Sequence, residues 1–322
     1  MPRKSARRLQ SNGPRRSDAK GRRAFLGSLA GSAAALLLAP CNAHAQQRLI
    51  TRAVASTGEA LPVVGLGSWI TFNVGDDRVA RDECADVMRA FFDSGGRMID
   101  SSPMYGSSQQ AIGDGLRKLG MPPALFSADK VWIASGAKGA AQVEESRTRW
   151  TVPKFDLLQV HNLLSWQDHL PLLFAMKAAG RLRYVGITTS EGRRHADIEA
   201  VMRAHPLDFV QITYNAVDRD VEAWILPLAR ERGVAIIVNR PFRQGALIHA
   251  TRAAKLPSFA ADIGCASWAA LLLKFVVAHP VVTCAIPATT RVAHARENMA
   301  VARGPLPDEA MRQRIAALVS KL

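Results

Sequence analysis

Cysteine is scarce in this chain of 322 residues, and its four copies, Cys41, Cys84, Cys265 and Cys284, are scattered. No C-x-x-C pair and no Cys/His spacing occurs, which argues against a disulfide framework and a structural metal site; no metal is expected. Cys84 and Cys265 lie in helix-like runs and Cys284 in the strand-like VVTCAIP, so buried thiols are expected. Aromatic residues make up only 6% and are not interleaved with basic ones. That composition lacks a stacking platform for single strands and speaks against nucleic acid as a partner, despite a formal charge of +15. Beyond the N-terminus no apolar run is long enough to span a bilayer.

The charge is concentrated at one end. Residues 1–45 carry nine Lys/Arg against the single acid Asp18, leaving 33 basic and 26 acidic residues spread without a block over the rest. A basic stretch leads into GRRAFLGSLAGSAAALLLAP and then NAHAQQ. This is the order of a charged region, a modestly apolar region and a small-x-small cleavage site at Ala43-His44-Ala45. Arg22-Arg23 before Ala24-Phe25-Leu26 resembles the twin-arginine export signal, whose substrates cross the membrane folded. Residues 1–45 are therefore expected to be a cleaved signal read by the twin-arginine machinery, giving a periplasmic or otherwise exported protein. The competing reading is an uncleaved anchor, but the run from Ala24 to Pro40 is short and diluted by Gly and Ser. Pro40 before Cys41 disfavours a lipid anchor.

From about residue 61 short apolar runs alternate with amphipathic stretches. Strands are expected in PVVGLGSW, RMIDSS, KVWIAS, FDLLQVHN, YVGITT, FVQITYN, VAIIVNRPF and VVTCAIPAT. Helices are expected between them, over 79–94, 109–119, 141–150, 166–179, 193–204, 221–232 and 267–278. Eight such units fit a parallel sheet covered on both faces. GLGSWI lacks the third glycine of a dinucleotide-binding G-x-G-x-x-G turn, which weakens an open doubly wound sheet. The expectation is α/β: a single (β/α)8 TIM barrel over 46–322, with its site where the strands end. Polar residues gather there: Ser68, Asp100, His161, Thr188, Gln211, Asn239 and Thr289.

The second strand ends in Asp100-Ser101-Ser102-Pro103-Met104-Tyr105-Gly106 and the fourth in Gln159-Val160-His161-Asn162. With GLGSW on the first strand, Gln211 on the sixth and IPATTRVAHAREN from Ile286 to Asn298, these resemble the aldo-keto reductases, in the same order and over essentially the whole mature chain. The resemblance implies reduction of aldehydes or ketones, or oxidation of alcohols, with a nicotinamide cofactor. A tyrosine hydroxyl near pKa 10 is a poor acid at neutral pH unless a cation lowers it. The resemblance assigns Tyr105 as proton donor, His161 as the group that orients the carbonyl, and Asp100 as the anchor of the tuning lysine. Taken singly, each has a bland alternative: a helix cap, a packed loop ring, a core histidine.

The lysine is where the pattern breaks. The family places it directly after the third strand's end, but Ile133-Ala134-Ser135 is followed by Gly136, and Lys138 comes three residues late. A lysine reaches about 6 Å, so Lys138 either folds back toward Asp100 and Tyr105 or points into solvent. Lys130 opens the expected strand KVWIAS and is therefore placed at the wrong end of the barrel.

The resemblance also implies a cofactor cleft formed by Gly67, Ser68, Trp69, Thr188, Gln211, Asn239, Thr289, Arg291, His294 and Asn298. NADP(H) is the family expectation. Ala288 and His294 stand where relatives carry cations for a 2′-phosphate, with Arg291 between them, which keeps NAD(H) open. Asn239 replaces an aromatic ring that relatives stack on nicotinamide. Two functions remain: an exported carbonyl reductase, or a catalytically impaired barrel that binds a ligand or partner.

Overall fold

The computed structural model describes residues 48–322; the expected signal segment lies outside the described residues. The chain enters through a short antiparallel hairpin, β1 (Thr51–Ala53) and β2 (Ala60–Pro62). Eight parallel strands follow: β3 (Leu66–Gly67), β4 (Met98–Asp100), β5 (Phe126–Val131), β6 (Phe155–Val160), β7 (Leu182–Thr188), β8 (Phe209–Thr213), β9 (Ala235–Asn239) and β10 (Val282–Ala285). Each pairs with its neighbours in chain order. The ends meet through the parallel bridges Val64–Ala285 and Gly67–Ala288, so the sheet closes into a (β/α)8 barrel. A Cβ on Gly67 would sit 2.6 Å from the Ile286 carbonyl oxygen, so only glycine permits this closure.

Helices cover the outside: α1 (Arg78–Asp93), α2 (Ser108–Lys118), α3 (Gly139–Trp150), α4 (Trp166–Ala178), α5 (His195–Ala204), α6 (Ile225–Arg232), the short α7 (Ala246–Ala250), α8 (Trp268–Ala278), α9 (Val292–Ala300) and α10 (Glu309–Val319). Local chemistry starts them. Asp77 accepts from the Val79 and Ala80 amides at the head of α1, and Ser267 from Ala270 at the head of α8. In α1, Cys84, Val87, Met88 and Phe91 recur at helical spacing and face the barrel. No helix among the described residues is long and apolar enough to cross a membrane.

Strand alternation sets what lies inside. Met98, Phe126, Ala128, Leu157, Phe209 and Ile237 form an apolar plug, closed below by Val54 and Leu61 of the hairpin region. Ile99, Leu158, Val185, Val210 and Ile236 point outward into the larger core under the helices. One step above the plug, the same inward positions become polar: Asp100, Lys130, Gln159 and Gln211. Cys84, Cys265 and Cys284 are buried and free.

The expected strands match the observed ones with one consequential exception. The third strand is not KVWIAS but Phe126–Val131, about four residues earlier. Two charged residues, Asp129 and Lys130, disguise it in the sequence, although both are buried. The apolar WIAS that follows has left the sheet, and Trp132 is exposed.

Candidate active site

Asp100 is the last residue of β4 and Lys130 the penultimate residue of β5, so both sit at the strands' C-terminal ends. Ala128 pairs with Asp100 across the two strands, and Lys130 lies two residues beyond it on the same face. Its ammonium donates to Asp100 Oδ1 at 2.5 Å and to the Ser101 carbonyl at 2.7 Å. Gln211 Nε2 donates to Asp100 Oδ2 at 3.0 Å and Gln159 Nε2 at 3.4 Å. The pair is almost wholly buried, at 1% and 2% exposure, a costly placement that these bonds offset.

Tyr105 follows on the turn after β4. The Lys130 ammonium lies 5.3 Å from its ring centroid, and the His161 ring meets it edge-on at 5.7 Å. His161 opens the 3-10 turn His161–Leu163 directly after β6. Its Nδ1 lies 2.8 Å from Ser102 Oγ, which already accepts from the Met104 amide. With Ser102 donating to Nδ1, both atoms are satisfied and Nε2 keeps its proton as a donor toward the cavity.

Electrostatics follow from burial and one cation. Burial and the nearby Lys130 charge hold His161 well below its usual value, so it is neutral at physiological pH. Burial alone would lower Lys130, but the Asp100 carboxylate outweighs it, and the ammonium persists. Burial raises the Tyr105 phenol above its ordinary value while Lys130 pulls it down.

These findings correct the expectation for lysine. Lys138 closes the 3-10 turn Gly136–Lys138 and is exposed, away from the cavity wall. Lys130, assigned from sequence to the wrong end of the barrel, meets Asp100. The cause is the four-residue displacement of the third strand. The sequence signal was present as alternation in FSADK, where Phe126, Ala128 and Lys130 share one face.

A cavity of about 750 Å³ opens above this floor. Asp100, Tyr105 and His161 line it, with Gly67, Ser68, Trp69, Thr188, Gln211, Asn239, Thr289, His294 and Asn298. Arg291 does not: it precedes α9 and is exposed. Arg252, from the segment after α7, also lines this cavity, as do His294 and Glu297, and it was not among the expected residues. Asn239 is committed elsewhere. It accepts from Thr213 Oγ1 at 2.7 Å and donates to the Thr189 carbonyl at 2.9 Å, clipping β7, β8 and β9 together. Thr188 donates to Gln211 Oε1 at 3.2 Å, which ties both to the Asp100 network. No group of three metal-ligating side chains occurs among the described residues.

Behind Lys130, on the outer face of β5, Asp129 accepts from Gln109 Nε2 at 2.7 Å, and burial pushes its carboxyl up to about 7. Because this folded value exceeds the unfolded one of about 4, the stability it contributes is full at low pH and is lost as pH rises toward 7. Asp129→Asn should therefore gain melting temperature relative to wild type between pH 4 and pH 7, by about a few degrees. A difference that stays constant with pH would contradict this.

A profile of the aldo/keto reductase family matches residues 63–318. Among curated proteins, the chain is 25% identical over 249 residues to methylglyoxal reductase YeaE of Escherichia coli, covering 75% of this chain and 86% of that protein. It is 24% identical over 226 residues to an NADH-specific methylglyoxal reductase of the same organism, covering 60% and 67%. The fold also matches an aldo-keto reductase from Klebsiella pneumoniae solved with NADPH, with a TM-score of 0.72 at 20% identity, covering 84% of this chain and 96% of that one. The barrel, the buried floor of its cavity and a family match over most of the chain agree: this chain belongs to the aldo/keto reductase family.

Proposed function

We propose that the protein is an NAD(P)H-dependent carbonyl reductase with Tyr105 as proton donor. The observation that carries this is the Lys130–Asp100 pair beside Tyr105 and His161 on the cavity floor. The cavity has the size of a cofactor or small-molecule site, and the polar side chains of Ser68, Gln211, Thr289, His294 and Asn298 line it beside the apolar Trp69 and Ile286. The residues present therefore fit a polar, amide-bearing ligand.

When bound, the nicotinamide supplies hydride to the carbonyl carbon. The chain's own groups handle the oxygen, where negative charge develops. His161, neutral and protonated on Nε2, donates a hydrogen bond that orients the carbonyl oxygen. Tyr105 transfers its phenolic proton to that oxygen as the C=O bond becomes C–OH. The Lys130 ammonium stabilises the phenolate left behind, and Asp100 holds that ammonium in place.

NADP(H) is the proposed cofactor, with Arg252 as the cation available for a 2′-phosphate. Fluorescence titration with NADPH and NADH tests this. Arg252→Gln should weaken NADPH by roughly tenfold and leave NADH unchanged, as expected for loss of one charge-assisted phosphate contact. Equal weakening of both would contradict the role. The impaired-barrel alternative leaned on a displaced lysine and on the altered phosphate segment at Ala288 and His294; Lys130 beside Asp100 weighs against the first. Absence of binding to either dinucleotide would revive it.

The Arg22-Arg23 segment supports export in folded form, which would let the barrel load its cofactor before crossing the membrane. An Arg22→Lys/Arg23→Lys chain should accumulate unprocessed inside the cell. Unimpaired processing would contradict a twin-arginine route.

A further inference from the structure

Beside the main cavity lies a second chamber of about 340 Å³, sharing with it Trp69, Met104, Asn162, Ser190, Arg240 and Gln244. Met104 precedes Tyr105 in sequence and Asn162 follows His161. A substituent on a carbonyl held between Tyr105 and His161 thus has this chamber within reach. Its other walls come from the loop after β7 and bring Arg193, Arg194 and Glu191. Three guanidinium groups therefore face one carboxylate among its lining residues.

Arg240 is the best organised of the three. Its side chain is only 19% exposed, and its guanidinium lies 5.7 Å from the Trp69 ring centroid. Glu191 accepts from it at 2.8 Å, and the Gln244 amide, oriented with its oxygen inward, accepts at 3.0 Å. Asn215 Nδ2 holds the Arg240 carbonyl at 3.2 Å. A guanidinium fixed by three neighbours loses little freedom on meeting a ligand. Arg194 is spent on Asp197 and the Asn162 carbonyl, and Arg193 shares Glu191 while remaining largely in solvent.

We infer that the preferred substrates are aldehydes or ketones bearing an anionic group, carboxylate or phosphate, seated against Arg240 while the carbonyl meets Tyr105. The inference rests on the reductase reading for its turnover arm only. The test compares kcat/KM for 4-carboxybenzaldehyde against benzaldehyde, and for glyceraldehyde 3-phosphate against glyceraldehyde, at saturating cofactor. At least one charged member should be favoured by roughly tenfold or more, mostly through KM, and which pair shows it separates carboxylate from phosphate. Arg240→Gln should bring that ratio near one. Equilibrium titration of the same four compounds by calorimetry needs no turnover and should show the same Arg240-dependent preference. A protein that reduces neutral aldehydes with no preference for charged ones overturns this inference and leaves the reductase reading intact. A ratio unchanged in Arg240→Gln also overturns it. Binding of a charged member through Arg240 without hydride transfer would keep it and overturn the reductase reading.

Discussion

Tyr105→Phe is expected to lower kcat for aldehyde reduction by about 10² to 10⁴, the usual worth of a positioned proton donor. Dinucleotide affinity should be almost unchanged, because the ring and its edge contact with His161 survive the loss of one oxygen. A pH signature accompanies this. Reduction needs the protonated phenol, and burial keeps the Tyr105 proton on above the ordinary tyrosine range. The reduction rate should thus stay level through neutral pH. Alcohol oxidation needs the phenolate, so its rate should climb throughout the alkaline range. His161 stays neutral, held low by burial and Lys130, so it should add no inflection near pH 6.5. Rate profiles in both directions check these expectations, and a Tyr105→Phe variant of wild-type rate would remove Tyr105 from the chemistry.

The second large effect belongs to Lys130. Lys130→Met should cut reduction by about 10² or more, since it removes the cation that stabilises the departing phenolate. It also strands the Asp100 carboxylate in a buried site, which risks the fold. The charge-balanced pair Lys130→Met/Asp100→Asn separates the two losses. It should regain folding, read by circular dichroism and melting, without regaining activity. Lys138→Met should behave as wild type, because that side chain lies in solvent and off the cavity. Loss of turnover in Lys138→Met would reverse the assignment.

Most of the barrel was legible because strand and helix periods alternate cleanly along the chain. Asp100, Tyr105 and His161 were legible because each sits in a local sequence pattern at a strand end. Lys130 was not, for a physical reason. A strand whose upper residues are buried and charged looks like a loop to any reading based on apolar runs, and the true loop, WIAS, looks like a strand. Burial of a charge is decided by its partner, and Lys130's partner is Asp100, 30 residues earlier in the chain. Arg252 and Arg240 were missed similarly: they reach the cavity through the path of the loops after β9, which local pattern does not fix. Asn239 was located but not understood. Its amide joins three strands, a role visible only once Thr189 and Thr213 lie beside it.

The proposed mechanism requires that one ammonium governs one phenol. An ultraviolet difference titration, each protein minus its Tyr105→Phe counterpart, isolates the Tyr105 ionisation from those of Tyr184 and Tyr214. With Lys130 present the phenol should lose its proton at a clearly lower pH than in the Lys130→Met/Asp100→Asn protein, while Lys138→Met should leave the curve in place. Superimposable curves with and without Lys130 would contradict the mechanism.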